Sequence, residues 1–351
     1  MSDVEFSIDD NSNRISENPF LLLPHSLVKA TFNKLYWTDI HNLKKVSRFF
    51  NNFITQNNTL LPRPRLSDLK ITSNSTKKYT YLKATFIMMD INKRFGLSER
   101  VSNEYTNYNS LRINSILERF DLTNIQSIRI KSKGREVIFK IMNNHFKDET
   151  TVNFLELTII KCPNFNVFSA FMGKMKYVTN LIITRICFTN ETEVPNNYIL
   201  PFVRNMTSIS VAECNCRIHF INPQMINNLF ISNPRLQLIS FHSKLKDFDI
   251  KVVDCIKDRQ SYCSIDNDEN GECQRHKNFL IILPFKIGID ITDEFMRFFG
   301  DGQYYISGYS LNTDNLCYFS VQYHCEVCMR LKIIRLLYTV PEIWNQHCDA
   351  R

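Results

Sequence analysis

Ile125-Gln126-Ser127-Ile128-Arg129-Ile130 sets a template: an apolar residue, two variable residues, an apolar residue, one variable residue and a last apolar residue. The template recurs as Phe154, Leu157 and Ile159, as Val178, Leu181 and Ile183, as Met206, Ile209 and Val211, and as Leu236, Ile239 and Phe241. The starts are spaced by 29, 24, 28 and 30 residues, too even for isolated strands and too long for hairpins. Between them lie stretches with apolar residues at helical spacing: Val137, Ile138, Ile141 and Met142; Phe165, Phe168, Phe171 and Met175; Ile199, Phe202 and Val203; Met225, Ile226, Leu229 and Phe230. A short strand followed by a helix, repeated at this period, buries its apolar faces only by stacking on its neighbours. The expected fold class is α/β, an irregular solenoid of parallel strands backed by helices over residues 121–345.

Cys162 and Cys214 stand three residues after the last apolar position of their units, where the leucine-rich repeat carries Asn or Cys. The region therefore resembles an irregular leucine-rich repeat. Strand side chains alternate between faces, so the variable positions point away from the helices. One such column is Arg129, Thr158, Ile182, Ser210 and Ser240, flanked by Ser127, Glu156, Asn180, Ser208 and Leu238. This neutral, mildly apolar surface suits a target protein better than a phosphate backbone. The cluster Lys131, Lys133 and Arg135 at one end reads as a solvated edge.

Upstream the pattern differs. Residues 1–18 carry Asp3, Glu5, Asp9, Asp10 and Glu17 against Arg14 and few large apolar groups, which reads as a flexible acidic tail. From Pro19 the sequence condenses into three short helical patterns: Leu27, Val28, Thr31, Phe32 and Leu35; Ile40 and Leu43 after a Thr38 cap; and Phe49, Phe50, Phe53 and Ile54 after a Ser47 cap. Leu23-Pro24 at a helix start, then Leu27, Leu35, Asp39-Ile40, Leu43 and Val46-Ser47-Arg48-Phe49-Phe50, resembles the F-box over residues 19–56. The resemblance implies a module that docks on the Skp-type adaptor of a cullin-RING (SCF) ubiquitin ligase. It assigns the contacts to Leu22, Leu23, Pro24, Leu27, Leu35, Ile40, Leu43 and Val46. Two independent features agree with docking. Three short helices are too few to bury this many large side chains, and residues 19–54 hold Lys29, Lys34, Lys44, Lys45 and Arg48 against Asp39 alone.

Leu61-Pro62-Arg63-Pro64-Arg65 cannot continue a helix and reads as a linker. Residues 57–120 hold this linker, a hairpin pattern in Leu66 to Thr72 and Tyr79 to Met88, and a helix from Ser110 to Phe120.

Composition narrows the function. The chain has 351 residues, 44% hydrophobic, with only 8 Gly, enough to bury a large core. Its net charge of +8 is modest for this length, which argues against nucleic acid as the main partner. No apolar run reaches the ~18 residues of a membrane span, and the first 20 residues lack a signal-peptide core, so a cytoplasmic or nuclear protein with reduced thiols is expected. Phosphate-loop, zinc-protease and Gly-x-Ser-x-Gly hydrolase motifs do not occur. Cys255, Cys263, Cys273, His276, His324, Cys325 and Cys328 form the strongest metal-like set. Only Cys325 and Cys328 have firm ligand spacing, so no metal or cofactor is assigned. The sequence thus points to a non-catalytic substrate receptor in ubiquitin-dependent degradation. The alternative is a leucine-rich-repeat interaction scaffold with no ubiquitin role.

Overall fold

The computed structural model describes residues 23–57, 60–75, 79–88, 94–102, 112–189, 194–214, 219–243, 250–255, 279–284, 293, 296–297, 299–300, 305–312, 316–324 and 331–339. The chain divides into two compact units, residues 1–64 and 65–351.

The first unit holds α1 (His25–Phe32), α2 (Trp37–Leu43) and α3 (Arg48–Gln56). Ser47 caps α3, its hydroxyl accepting a hydrogen bond from the Phe50 N–H at 3.2 Å, as its position before an apolar helix predicts. Helix α2 starts earlier than expected: Tyr36 takes the cap position in extended backbone, so Thr38 lies inside the helix. Val28, Phe32, Ile40, Phe50, Phe53, Ile54 and Leu61 form a small closed core. The Phe32 ring lies 5.3 Å from Phe53 and 5.9 Å from Phe50. Three aromatic rings thus fill a space that short aliphatic helices would leave open.

The second unit is mixed α/β and built on one mostly parallel sheet. Its elements are β1 (Leu66–Ser75), β2 (Tyr79–Met88), β3 (Arg94–Ser102), α4 (Arg112–Leu117), β4 (Asn124–Lys133), α5 (Val137–His145), β5 (Thr151–Cys162), α6 (Phe165–Lys174), β6 (Tyr177–Phe188), β7 (Ser208–Glu213), α7 (Pro223–Ser232), β8 (Leu238–His242), β9 (Phe279–Pro284), β10 (Tyr305–Asn312), β11 (Leu316–His324) and β12 (Leu331–Thr339). Among the described residues these twelve strands run in the order β10-β11-β12-β9-β8-β7-β6-β5-β4-β1-β2-β3. The strands from β1 through β4 to β9 and on to β12 pair in parallel, and antiparallel hairpins close both ends. Residues 57–120 therefore do more than link. Their strands β1 to β3 belong to the same sheet, with Ile71 paired to Ile130 and to Ala84.

Strand pairing fixes the repeat. Ile125, Val152 and Val178 share one row; Ile128, Leu155, Leu181, Ile209, Ile239 and Ile281 share the next; and Ile130, Leu157, Ile183, Val211 and Phe241 share a third. All are essentially inaccessible to solvent. The second unit of the template is thus Val152, Leu155 and Leu157, two residues earlier than the expected Phe154, Leu157 and Ile159. These side chains join one core with the apolar faces of α4 to α7, among them Phe139, Phe168, Met225 and Leu229. Each large side chain buried there contributes roughly 1.5–3 kcal/mol relative to exposure.

Asn caps the crossover helices. Asn164 accepts from the Val167 N–H at 3.2 Å and Asn222 from the Met225 N–H at 2.8 Å, with Pro223 pre-set for the first turn of α7. The expected helix at Ile199 to Val203 does not form. Instead Asn233, fully buried, ties this segment down, its amide donating to Phe202 O at 3.1 Å and its carbonyl accepting from the Met206 N–H at 3.4 Å. At the end of β7, Glu213 is buried and accepts from the Phe220 and Ile221 N–H groups at 2.6 Å each.

Cys162, Cys187, Cys255 and Cys317 are not disulfide-bonded, whereas Cys214 is. That corrects the expectation of uniformly reduced thiols at this one position. Among the described residues no helix is long and apolar enough to cross a membrane.

Candidate functional site

In the first unit, the small core divides the expected contact residues by burial. Leu23 is 41% exposed, Leu27 54% and Val46 67%, and Pro24 is also exposed. Leu35 and Leu43 are half-buried against the core. Ile40 is only 4% exposed and belongs to the core itself, a correction to its reading as a contact. It faces inward because Phe50 and Phe53 complete a hydrophobic centre that the helix spacing alone did not reveal. Leu22 lies outside the described residues. Tyr36, 79% exposed at the start of α2, is a large side chain that the sequence reading left out. Lys34, Lys45 and Arg48 are exposed, and Lys29 and Lys44 partly so. The module thus closes a core and still shows Leu23, Leu27, Tyr36 and Val46 to solvent beside cations. Exposed apolar groups rimmed by charge mark interaction surfaces.

In the second unit, the described outward positions of the sheet form rows across the strands. Arg129 pairs with Glu156, Glu156 with Ile182, Ile182 with Ser210, Ser210 with Ser240 and Ser240 with Ile282. Four of the five expected column residues therefore line up. Thr158 does not: it pairs with Lys131 and Arg185, one step along the strands, and Glu156 occupies its place. The consequence is electrostatic. The Arg129 guanidinium lies 3.4 Å from the Glu156 carboxylate and 5.6 Å over the Phe154 ring, so it is held by its neighbours on the face. Both charges are exposed to water, so the pair adds little to stability.

Hydrogen bonds order the polar middle of the face. Thr158 and Thr184 hydroxyls lie 2.7 Å apart, and the Asn180 carbonyl oxygen accepts from Ser208 at 2.6 Å and Thr207 at 3.1 Å. Beyond them the face is mostly apolar: Leu238 is 36% exposed, Arg335 stands exposed beside Leu280, and Leu280, Ile282, Leu337 and Tyr318 are half-buried. The strands carrying these last four were not placed by the repeat template. Leu238 and Ser240 pair with Leu280 and Ile282, Ile282 pairs with Leu337, and Leu337 with Tyr318.

Of the metal-like set, Cys255 is partly exposed and not disulfide-bonded, and His324 is exposed. Cys263, Cys273, His276, Cys325 and Cys328 lie outside the described residues. Among the described residues no three metal-binding side chains cluster. No nucleophile and base pair is apparent on the described outward face of the sheet. The described face has a cationic end, a hydrogen-bonding middle and an end that is mostly apolar with Arg335 exposed beside Leu280. Comparison with protein-family models, with curated proteins and with solved structures finds no match to this chain.

Proposed function

We propose that the chain is the substrate-recognition subunit of an SCF-type ubiquitin ligase: the N-terminal unit is an F-box that docks on a Skp-type adaptor, and the C-terminal unit is a leucine-rich-repeat-like solenoid that holds a target protein. It catalyses nothing itself. Holding the target beside the charged ubiquitin carrier raises its effective concentration there, which is all the mechanism requires. The observation that carries the reading is the exposure of Leu23, Leu27 and Val46 on a three-helix unit whose own core is already complete. Apolar side chains left outside a closed core are available to a partner, and the surrounding lysines steer an acidic one.

The test is co-purification of the full chain with a Skp-type adaptor, beside Leu27→Asp and Val46→Asp. A stable interface of this kind buries about 1,600 Å², and losing a central anchor costs ~2 kcal/mol, roughly 30-fold in affinity. The expected result is a stoichiometric complex with the wild type, lost in both variants while circular dichroism is unchanged. A wild-type chain that forms no complex removes the ubiquitin role and leaves an interaction scaffold.

A further inference from the structure

The open face of the sheet is polarised along the strand order. On β2, β1 and β4 the outward positions hold Lys83, Lys70, Arg129, Lys131 and Lys133, all exposed. Lys70 pairs directly with Arg129, and Thr72 sits between Lys83 and Lys131. Arg129 is answered by Glu156, but the four lysines form no ion pair among the described residues. Like charges side by side on one face repel, and an external anion relieves the repulsion. Lys131 and Lys133 are thus part of a cluster that the fold assembles from residues 60 apart in sequence, not an isolated solvated edge.

Five strands from β4 the same face is mostly apolar, with the exposed Arg335 beside Leu280 as its one described cation. Ser240, Ile282, Leu337 and Tyr318 form one row and Leu238 and Leu280 the next. Between the two zones, β6 and β7 present Asn180, Ile182, Ser208 and Ser210. From β4 to β9 there are five strand steps, about 24 Å at ~4.8 Å each.

We propose that this face binds a protein segment with carboxylates clustered at one end and large apolar side chains at the other, about 24 Å apart, some seven residues if extended. The inference deepens the target-binding half of the proposed function and does not depend on adaptor docking. Charge complementarity selects the occupant. A nucleic acid carries charge along its whole length and would lay phosphates over Leu280, Ile282 and Leu337, whereas a segment of mixed character satisfies both ends.

Selection of a random 12-residue displayed peptide library on the full chain tests this. The expected outcome is enrichment of peptides with acidic residues in one half and Leu, Ile, Phe or Tyr in the other. Selected peptides should lose affinity about tenfold on the Lys70→Glu, Lys131→Glu double variant, and again on Ile282→Ser with Leu337→Ser, with circular dichroism unchanged. Enriched peptides without that order, or equal binding to all variants, overturn the inference alone. Tighter binding of a 20-nucleotide single strand than of any peptide overturns it in favour of a nucleic-acid partner. Failure to enrich any peptide removes the target-binding reading of this unit as well, while adaptor co-purification reports separately on the first unit.

Discussion

Glu213 Oε2 accepts a 2.6 Å hydrogen bond from the Ser243 hydroxyl, joining the end of β7 to the segment that leaves β8, 30 residues on. The other carboxylate oxygen holds the backbone at Phe220 and Ile221. Burial pushes the Glu213 carboxyl above the usual carboxylate range, although Ser243, Ile221, His219 and Phe220 all pull it down. An acid with a raised native pKa holds its proton more tightly folded than unfolded. Stability therefore falls as pH rises from the unfolded value, about 4.3, through the native one, and is level above it. His145 and His242, whose pKa burial lowers, add a pH dependence of their own to the wild-type curve. The isolating quantity is the wild-type stability minus that of Glu213→Gln by urea unfolding, and it should decline with rising pH across that window. Glu213→Ala, which removes the acceptor shared by three donors, should cost about 3 kcal/mol at the acid end of that window and less above it.

Asn233 is the second buried polar tie. Its side chain serves Phe202 O, Leu229 O and the Met206 N–H at once, where the sequence pattern expected a helix. Asn233→Ala removes their shared partner at a fully buried position and should lower stability by about 2–3 kcal/mol. Asn164→Ala, a cap at a partly buried site, should cost about 1 kcal/mol. Denaturant midpoints of the two variants check the ordering.

The register of the second repeat unit is testable by a pair of truncations. Leu155 is fully buried and Phe154 lies on the open face beneath Arg129. Leu155→Ala should cost about 2–5 kcal/mol, and Phe154→Ala, despite the larger side chain, about 1 kcal/mol or less. Equal losses would restore the register read from the sequence.

Burial pushes the Cys162 thiol up to about 11. At pH 8 its thiolate population is then on the order of a hundredfold below that of an unperturbed cysteine. Iodoacetamide labelling followed by mass spectrometry should find Cys162 unmodified in the native chain and fully modified in urea. Fast native labelling would mean that the strand end opens.

Much of the architecture was legible because buried parallel strands and their crossover helices impose a period on apolar residues. Val178, Met206 and Leu236 begin their units where the template put them. The Phe154 unit slipped by two residues because side chains alternate with period two: Leu157 and Ile159 face inward in either register, and only Phe154 and Leu155 exchange faces. Only pairing to Ile125 and Ile128 reveals it. The strands beyond residue 245 escaped because Ile239 and its row partner Ile281 are 42 residues apart, outside the repeat interval. Ile40 was misplaced because a helix face does not say which other helix it meets. The Phe rings that close over it come from α3. The lysine cluster was invisible as a unit since β1, β2 and β4 supply it from separate stretches of sequence.

The parallel stacking of β4 to β9 makes the open face a ruler with discrete marks. Each strand and its crossover advance the surface by one fixed lateral step of ~4.8 Å. A sequence that gains or loses one such unit moves the lysines relative to Leu280 and Ile282 by a whole step, and leaves the composition of both ends untouched. What a duplication changes is reach, so chains of this architecture would be graded by the length of the segment they measure before they differ in the side chains they read.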